Sequence, residues 1–320
     1  MTAWVIAVVS LALTLVATPL VIVVATRSGI VDRPGALKSQ AAPVPYLGGV
    51  AVFVGTAVGV LSGRPSLLIP LAAALILGVA DDRFDLPPPV RLVGEVGIGV
   101  AVVATCPVRL SGVVAVLLVV AVTVLLINGV NLLDGLDMLA AGVTAVAAAA
   151  FFLLLEGFGR QTAVALAAAL IGFLVFNRPP AKVYLGDGGA YFLGTALAVL
   201  LSAAWAPGLS ARVGVAALAL VAVPAAEVAF AVVRRRRGRM SLMTGDRGHP
   251  YDRLVARGWP RTSASLAYVG VEALVAVGAV TLAHHAGLAP IIVFDLAVAA
   301  LLVALAAGAG ALSPDQEASA

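Results

Sequence analysis

Long apolar runs separated by short polar connections are the most regular feature of the chain. A helix needs about 20 apolar residues to cross the hydrocarbon core of a bilayer, and fewer where neighbouring protein covers its ends. The pattern therefore predicts eleven transmembrane helices. They are expected at residues 3–25, 48–61, 67–80, 90–106, 112–127, 138–155, 161–176, 190–206, 213–233, 264–283 and 289–311.

The composition excludes a water-soluble globule. Of the 320 residues, 62% are hydrophobic and 11% are charged, and the mean hydropathy is +1.11. So few charges cannot cover a surface in water, so most of the exterior must face lipid. We predict an all-α, polytopic integral membrane bundle with one transmembrane domain at residues 1–312 and a disordered tail at 313–320. The single cysteine, Cys106, excludes an internal disulfide.

The basic residues are unevenly distributed between the connections. Counted from the N-terminus, the odd-numbered connections hold sixteen of the twenty lysines and arginines. Loops rich in these residues stay on the cytoplasmic side. We therefore place the odd connections and the C-terminus in the cytoplasm, and the N-terminus outside the plasma membrane. Topology also explains the net charge of +4, so no nucleic-acid partner is expected.

Nine of the sixteen acidic residues also lie in the odd connections, where topology does not require them. Asp81, Asp82 and Asp85 stand at the C-terminal end of a predicted helix, where the helix dipole disfavours negative charge. If the helix continued for one more turn, Asp81 and Asp85 would share a face. Crowded carboxylates need a neutralising cation, so this cluster predicts a general base or a Mg2+ site rather than an acidic helix end.

Two further polar segments lie on the same predicted side. Asn128, Asn131, Asp134 and Asp137 recur at every third position, and we expect the intervening glycines to bend the helix and bring the four side chains together. The alternative is a polar zipper that joins helices. Asp187 is enclosed by glycines just before the next helix, which suits Mg2+ and a diphosphate held at a helix N-terminus, although ordinary turns have the same composition.

The basic and histidine-containing connections are less specific. Lys38, in a proline-rich connection, is suited to contact a phosphate but equally serves as a topology signal. We interpret the run Arg234–Arg237 as an anchor to anionic lipid headgroups. The residue type alone assigns His249 no role.

Taken together, these segments resemble the polyprenyl-phosphate N-acetylhexosamine-1-phosphate transferases, glycosyltransferase family 4. They follow the order found in that family and extend over about residues 30–260. Eleven helices with the N-terminus outside look like the N-acetylglucosamine branch. The segments that carry the resemblance are Lys38 to Pro43 with Pro45 and Gly48-Gly49, Asp81-Asp82-Arg83-Phe84-Asp85, Asn128 to Asp137, Leu185-Gly186-Asp187, and Asp246-Arg247-Gly248-His249.

The resemblance implies a reaction in which a UDP-sugar, expected to be UDP-N-acetylglucosamine, donates its sugar-1-phosphate to a polyprenyl phosphate and releases UMP. It implies Mg2+, for which Mn2+ is expected to substitute, and a homodimer in keeping with other members. By resemblance, Asp81 and Asp82 act on the acceptor phosphate, Asp187 is the principal Mg2+ ligand and Asn131 is the second. Substrate-binding positions are then Lys38, Asp85, Asn128, Asp134, Asp137, Arg247 and His249.

One segment departs from the family. The histidine-rich motif, His-x-His-His, is His249-Pro250-Tyr251-Asp252 here, so only its first histidine is present. We expect Arg247 or Arg253 to supply the missing hydrogen-bond donor to the diphosphate. The change leaves the predicted metal ligands intact but leaves the sugar preference open.

Three alternatives remain. Within the family, the muramoyl-pentapeptide branch uses a different donor. A transporter would use the carboxylates inside apolar runs, Glu95, Glu227, Glu272 and Asp295. We instead expect Glu95 to pair with Arg91 one turn away. For Glu227 we favour an interhelical hydrogen bond, and its nearness to the basic connection leaves a contact with the lipid phosphate open. Transporters place their sites near the bilayer midplane, commonly between repeats, whereas this chain shows no repeat and gathers its polar segments on one side. An inactive scaffold is suggested only by the altered histidine segment.

Overall fold

The chain is almost entirely helical. The computed structural model describes residues 1–32, 43–109, 112–242 and 246–313. Apart from one 3-10 turn at Pro65–Leu67 and a two-residue antiparallel pairing of Val31–Asp32 with Val44–Pro45, the regular elements in these ranges are α-helices. They are α1 (Ala3–Ser28), α2 (Gly48–Gly63), α3 (Leu68–Phe84), α4 (Pro88–Thr105), α5 (Gly112–Leu133), α6 (Leu139–Leu154), α7 (Gly157–Asn177), α8 (Gly186–Ala204), α9 (Ala211–Ala219), α10 (Ala222–Arg237), α11 (Pro250–Ala256), α12 (Arg261–His285) and α13 (Leu288–Gly308).

The helices fit a multi-pass membrane protein, and the all-α prediction is confirmed. Seven helices in the described ranges, α1, α4, α5, α7, α8, α12 and α13, are long and apolar enough to cross a bilayer. The count rises to eight if α9 and α10, which meet at a bend of 53°, form one broken span. Each of the eleven predicted apolar runs coincides with a helix or with this bent pair. That all eleven cross the membrane stays a prediction, and residues 314–320 of the predicted tail lie outside the described residues.

Helix α8 lies at the centre of the bundle. Every residue from Gly188 to Ala204 is buried, and α3 and α5 pack along it. The outer helices instead expose large apolar side chains, among them Trp4, Leu20 and Leu296, as expected of surfaces that face lipid. The N-terminus of the central helix therefore opens toward one end of the bundle, surrounded by the ends of its neighbours.

Close backbone packing joins α3 to the start of α8. A side chain at Gly78 would place its first carbon 2.3 Å from the carbonyl oxygen of Asp187, so only glycine permits this approach. Gly186 begins α8 with a φ of 71°, and a side chain there would lie 2.7 Å from a carboxylate oxygen of Asp82. These two glycines bring the acidic end of α3 against the N-terminus of α8.

The arginine run at the end of α10 is partly internal. Arg234 and Arg235 are buried, with 0% and 8% of their surfaces exposed, and both bind the carboxylate of Asp246. Arg234 also donates from Nη1 to the carbonyl of Ala311 over 3.0 Å. The predicted headgroup anchor is therefore wrong for these two arginines, because the carboxylate of Asp246 lies against both of them. Arg236 and Arg237 are exposed.

Candidate functional site

A polar cavity of about 510 Å³ lies at the end of the bundle where α8 begins. Its wall comes from five connections that are distant in sequence, all of them odd-numbered in the predicted topology. The polar residues that line it are Asp32, Tyr46, Asp82, Asn131, Asp134, Asp137, Asn177, Tyr184, Asp187, Asp246, Arg247, His249, Tyr251, Asp252 and Arg261.

Asp82 binds the N-terminus of α8. Its Oδ1 accepts the backbone N–H of Asp187 over 3.0 Å, and its Oδ2 accepts that of Gly188 over 3.2 Å. The first N–H groups of a helix have no partner within the helix and attract negative charge. A carboxylate of α3 thus satisfies two of these donors and fixes the first turn of α8 at the cavity.

Asn131 and Asp187 form the next part of the same wall. Asn131 Nδ2 donates to Asp187 Oδ1 over 2.7 Å, which joins the end of α5 to the start of α8. The bond uses the nitrogen of the amide, so the amide oxygen of Asn131 does not take part in it. Carboxylate and amide oxygens from two helices therefore lie side by side in the cavity.

Asp134 and Asp137 follow α5 in the turn before α6. Asp137 Oδ2 accepts the backbone N–H of Ala181 over 2.9 Å, and its carbonyl accepts the hydroxyl of Ser265 over 2.9 Å. Burial, together with the negative charges of Asp187, Asp82 and Asp137, raises the pKa of Asp134 well above its usual range. Asp82, Asp134, Asp137 and Asp187, together with Asn131, are called the acidic wall below. Their carboxylates concentrate negative charge on one side of the cavity.

Three predicted site residues do not line this cavity. Asp81 is buried and accepts hydrogen bonds from Tyr191 Oη at 2.6 Å and Arg91 Nη1 at 3.1 Å. Asp85 is exposed, because α3 ends at Phe84 and Asp85 leaves it with a left-handed φ of 49°. Hence Asp81 and Asp85 do not share a helical face as the sequence argument assumed. Lys38 lies outside the described residues.

Asn128 is the third predicted site residue that does not line the cavity, and its side chain lies between α4 and α5. Its Nδ2 donates to Glu95 Oε2 over 2.7 Å, an interhelical bond of the kind the zipper alternative describes. The predicted pair of Glu95 with Arg91 is wrong, since Arg91 binds Asp81 instead. The residues of this polar segment therefore have different roles. Asn128 joins α5 to α4, whereas Asn131, Asp134 and Asp137 line the cavity.

The opposite side of the cavity is formed by residues 246–252, called the C-terminal wall below. Burial opposes ionisation of Asp246, but the hydrogen bonds and charges of Arg234 and Arg235 outweigh it and hold the pKa of Asp246 below its usual range. Arg247 follows with an exposed side chain on the cavity. This wall therefore carries its own countercharges.

His249 completes the C-terminal wall. Its Nδ1 lies 2.8 Å from Glu227 Oε2, and its ring stacks on Tyr251 with 5.4 Å between centroids and 6° between planes. Asp252, one turn later, accepts the backbone N–H of His249, and burial raises the pKa of Asp252 to about 6. The wall thus presents a fixed imidazole and a carboxyl whose pKa is raised to about 6.

Known proteins resemble the chain over most of its length. The model of glycosyl transferase family 4 matches residues 65–204. The decaprenyl-phosphate N-acetylglucosaminephosphotransferase of Mycolicibacterium smegmatis is 30% identical over 319 residues, covering 83% of this chain and 79% of that protein. The chain belongs to glycosyl transferase family 4. The probable undecaprenyl-phosphate N-acetylglucosaminyl 1-phosphate transferase of Bacillus subtilis is 28% identical, with 78% and 76% covered. The undecaprenyl-phosphate alpha-N-acetylglucosaminyl 1-phosphate transferase of Escherichia coli K12 is 27% identical, with 79% and 76% covered.

The acidic wall of this family 4 member fits a hard divalent cation by its donor chemistry. Asp187 and Asn131 supply carboxylate and amide oxygens, the ligand types that Mg2+ prefers, and Mg2+ is commonly completed by substrate phosphates and water. The described residues contain no group of three or more histidine, cysteine or acidic side chains arranged around one metal position. The fit to a cation thus rests on the oxygens of Asp187 and Asn131.

Sequence reasoning missed Asn177, which lines the cavity, and the contact between Glu227 and His249 behind it. Asn177 accepts the backbone N–H of Met138 and donates to the carbonyl of Val183, each over 2.9 Å, and it thereby joins the connections around α6 and α8. The interhelical hydrogen bond expected for Glu227 is confirmed by its contact with Tyr268 of α12, but the second contact, with His249, was not predicted. No local motif signals the contact of Asn177 with Met138 or that of Glu227 with His249, because these partners lie 39 and 22 residues apart in the sequence.

The four carboxylates inside apolar runs have different surroundings. Glu95 and Glu227 are hydrogen-bonded to Asn128 and His249. Glu272 and Asp295 have no hydrogen-bond partner among the described residues. Of these four carboxylates, Glu95 and Glu227 thus have hydrogen-bond partners within the described ranges.

Proposed function

We propose that this family 4 member transfers N-acetylglucosamine-1-phosphate from UDP-N-acetylglucosamine to a polyprenyl phosphate, releases UMP and depends on Mg2+, with Mn2+ as a substitute. The observation that carries the proposal is the meeting of Asp82, Asn131 and Asp187 at one helix N-terminus, opposite Arg247 and His249. Both substrates are polyanions, so carboxylates alone would repel them. A cation bound at the acidic wall would offset this repulsion, and the donors on the C-terminal wall would bind the phosphates from the other side.

We further propose that all eleven predicted helices span the membrane, with the N-terminus outside and the cavity on the cytoplasmic side. The connections that line the cavity are the same odd-numbered connections that hold sixteen of the twenty lysines and arginines. Such loops are retained in the cytoplasm, where nucleotide sugars are made available to membrane enzymes. The lipid phosphate then enters from the inner leaflet and the nucleotide from solution.

We assign the following roles to the residues of the site. Asp187 and Asn131 would hold the Mg2+, which supplies positive charge against the diphosphate when bound. Asp82 orients the first turn of α8 and, of the predicted catalytic pair, is the one that lines the cavity. We assign it the orientation or deprotonation of the lipid phosphate. Asp134, whose pKa is raised by burial and by its acidic neighbours, is suited to donate to a substrate hydroxyl or phosphate oxygen in its protonated form. Arg247 and His249 face the phosphates.

The favoured chemistry is a direct displacement. An oxygen of the lipid phosphate forms a bond to the phosphorus linked to the sugar, and the bond from that phosphorus to the bridging oxygen of UMP breaks. The leaving oxygen retains the electron pair as part of the UMP phosphate. In the described residues Asp81 is held by Tyr191 and Arg91, so a covalent route through Asp81 would need those bonds to break first.

The test is UMP release by the purified protein in lipid nanodiscs with undecaprenyl phosphate and a panel of UDP-sugars, with Mg2+, with Mn2+ or with a chelator. We expect release with UDP-N-acetylglucosamine and either metal, and none with the chelator. Asp187→Asn serves as the matched inactive control because it retains shape. Release only with UDP-N-acetylmuramoyl-pentapeptide would move the chain to the other branch, and no release with any donor would contradict the function.

A further inference from the structure

A buried glutamate lies directly behind the histidine of the C-terminal wall. Glu227, in α10, has 1% of its surface exposed. Its Oε2 lies 2.8 Å from His249 Nδ1, and its Oε1 accepts the hydroxyl of Tyr268, in α12, over 2.7 Å. A carboxylate inside a membrane bundle is costly and commonly marks function. Here each of its oxygens has one partner, and one of those partners is on the cavity.

The imidazole of His249 is fixed on several sides. Tyr251 stacks on its face, and the hydroxyl of Tyr251 donates to the carbonyl of Leu132 over 2.7 Å. Tyr251 also meets the ring of Tyr268 edge-on, with 6.1 Å between centroids. The ring therefore has one orientation, with Nδ1 bound to Glu227. Nε2 is then the ring nitrogen available to the cavity that His249 lines.

The other carboxylate near the ring does not compete for it. Asp246 Oδ1 is 4.0 Å from His249 Nε2, which is beyond hydrogen-bonding distance. Both oxygens of Asp246 bind Arg234 and Arg235, so its charge is already neutralised. The arginines thus leave Nε2 to the cavity, while Glu227 binds the opposite side of the ring.

We propose that Glu227 is a positioning residue that selects the Nδ1–H form of His249 and so presents Nε2 to the phosphate groups of the substrates. The hydrogen bond made by one imidazole nitrogen determines the state of the other. With Nδ1–H donated to the carboxylate, Nε2 accepts from a protonated phosphate oxygen or, once protonated, donates to an anionic one. The proposal rests on the proposed function for the identity of those phosphates, but the form of the ring is independent of it.

A purely structural role for Glu227 would connect α10, α11 and α12 without selecting a ring form. The two roles differ in what happens when charge is removed and shape is kept. Glu227→Gln retains a side chain of the same size but has both a donor and an acceptor, so it can bind either form of the imidazole. Only the positioning role therefore predicts a change in the position of the ring proton.

The first test is a spectrum that needs no activity. The full chain is labelled with 15N-histidine, placed in nanodiscs and recorded at mildly alkaline pH, where free imidazole is neutral. The chain has three histidines, and the signal of His249 is the one lost in His249→Gln. We expect the proton on Nδ1 in the native protein and both ring forms in Glu227→Gln. Tyr268→Phe, which keeps the carboxylate, should retain the native form. An unchanged proton position in Glu227→Gln overturns the proposal.

The second test uses turnover, with Glu272→Gln as the matched control because Glu272 is equally buried and has no hydrogen-bond partner among the described residues. Glu227→Gln should lower kcat by about 10- to 100-fold, as loss of an orienting partner does elsewhere, and should add nothing in a His249→Gln background. Glu272→Gln should retain native turnover. Independent, additive losses overturn the positioning role. A protein inactive with every donor would instead contradict the proposed function, while the spectrum still decides the ring form.

Discussion

The acidic wall and the C-terminal wall of the cavity treat charge in opposite ways. The acidic wall places Asp82, Asp134 and Asp187 close enough that burial and their mutual repulsion raise the pKa of Asp134. At the C-terminal wall, Arg234 and Arg235 neutralise the charge of Asp246 and lower its pKa. One wall is therefore complete within the protein, whereas the other is balanced by protons or by a cation. This difference supports the proposal that the acidic wall binds the ion and the C-terminal wall contacts the substrate.

The largest expected effect comes from breaking the wall that is complete. Asp246→Ala removes the partner of Arg234, whose side chain is fully buried, and of Arg235. Removing one member of a buried ion pair costs about 3–5 kcal/mol, because the remaining charge is uncompensated. We expect a large fall in the midpoint of thermal unfolding in nanodiscs. A fall no greater than that of Asp85→Asn, which changes an exposed carboxylate, would show that the arginines do not need Asp246.

The second effect comes from breaking the acidic wall, at which we propose that a cation binds. Asp187→Asn removes one charged oxygen but keeps the side-chain volume, so the fold should persist. We expect turnover to fall by about 100- to 1000-fold, the size of loss seen when one preorganised electrostatic contact at a reacting group is removed. The stabilisation of the native protein by added Mg2+, measured as a shift in the unfolding midpoint, should disappear in parallel.

The outcome separates two explanations of the acidic wall. If Asp187→Asn loses turnover but keeps the Mg2+-dependent shift, the ion binds elsewhere and Asp187 acts on substrate directly. If the variant gains stability without Mg2+, mutual repulsion of the carboxylates in the native protein is confirmed. Unchanged turnover would remove Asp187 from the site. Asn131→Leu repeats the test on the amide ligand, with the same direction expected.

Sequence patterns predicted the helices because a bilayer imposes one simple requirement, namely long apolar runs. They also identified the polar connections that meet in the cavity, since carboxylates at helix ends needed an explanation that topology did not give. The pattern could not separate Asp81 from Asp82. Adjacent residues on a helix point about 100° apart, and which one lines the cavity depends on how α3 packs against α8.

Two other features required three-dimensional information. Asp85 misses the cavity because α3 ends one residue earlier, and a helix boundary is the least certain part of a sequence-based prediction. Glu227 and His249 are 22 residues apart, and their contact depends on the fold of the intervening connection. Arg234 and Arg235, predicted to lie at the lipid surface, are instead buried, and both bind Asp246 of that connection.

The third effect is expected at Asp252, which belongs to the C-terminal wall but, like the carboxyls of the acidic wall, has a raised pKa. Burial raises the pKa of Asp252 from 3.8 to about 6, so the folded state binds its proton more tightly than the unfolded chain does. Its contribution to stability is then complete below about pH 4 and is lost as the pH rises toward 6. Asp252→Asn, which keeps an acceptor for the backbone of His249, removes this loss.

We therefore expect Asp252→Asn to be more stable than the native protein at pH 7, by about 2 kcal/mol after allowance for partial exposure. The gain should shrink as the pH falls and vanish near pH 4. Unfolding midpoints measured across this range test the sign directly. A gain that does not depend on pH would mean that the substitution improves packing and that the carboxyl is not the cause.

The smallest effect is expected at Asp85, which the sequence included among the substrate-binding residues. The side chain is exposed, it does not line the cavity, and its backbone has a left-handed φ of 49°. Asn tolerates that conformation well, so Asp85→Asn should keep both stability and turnover, within about twofold of the native protein. The substitution is matched in type to Asp187→Asn, and initial rates at low and saturating donor compare the two. A loss at Asp85 as large as that at Asp187 would mean that the connection after α3 closes over the cavity during turnover, and the acidic wall would then extend to residues that face solvent in this structure.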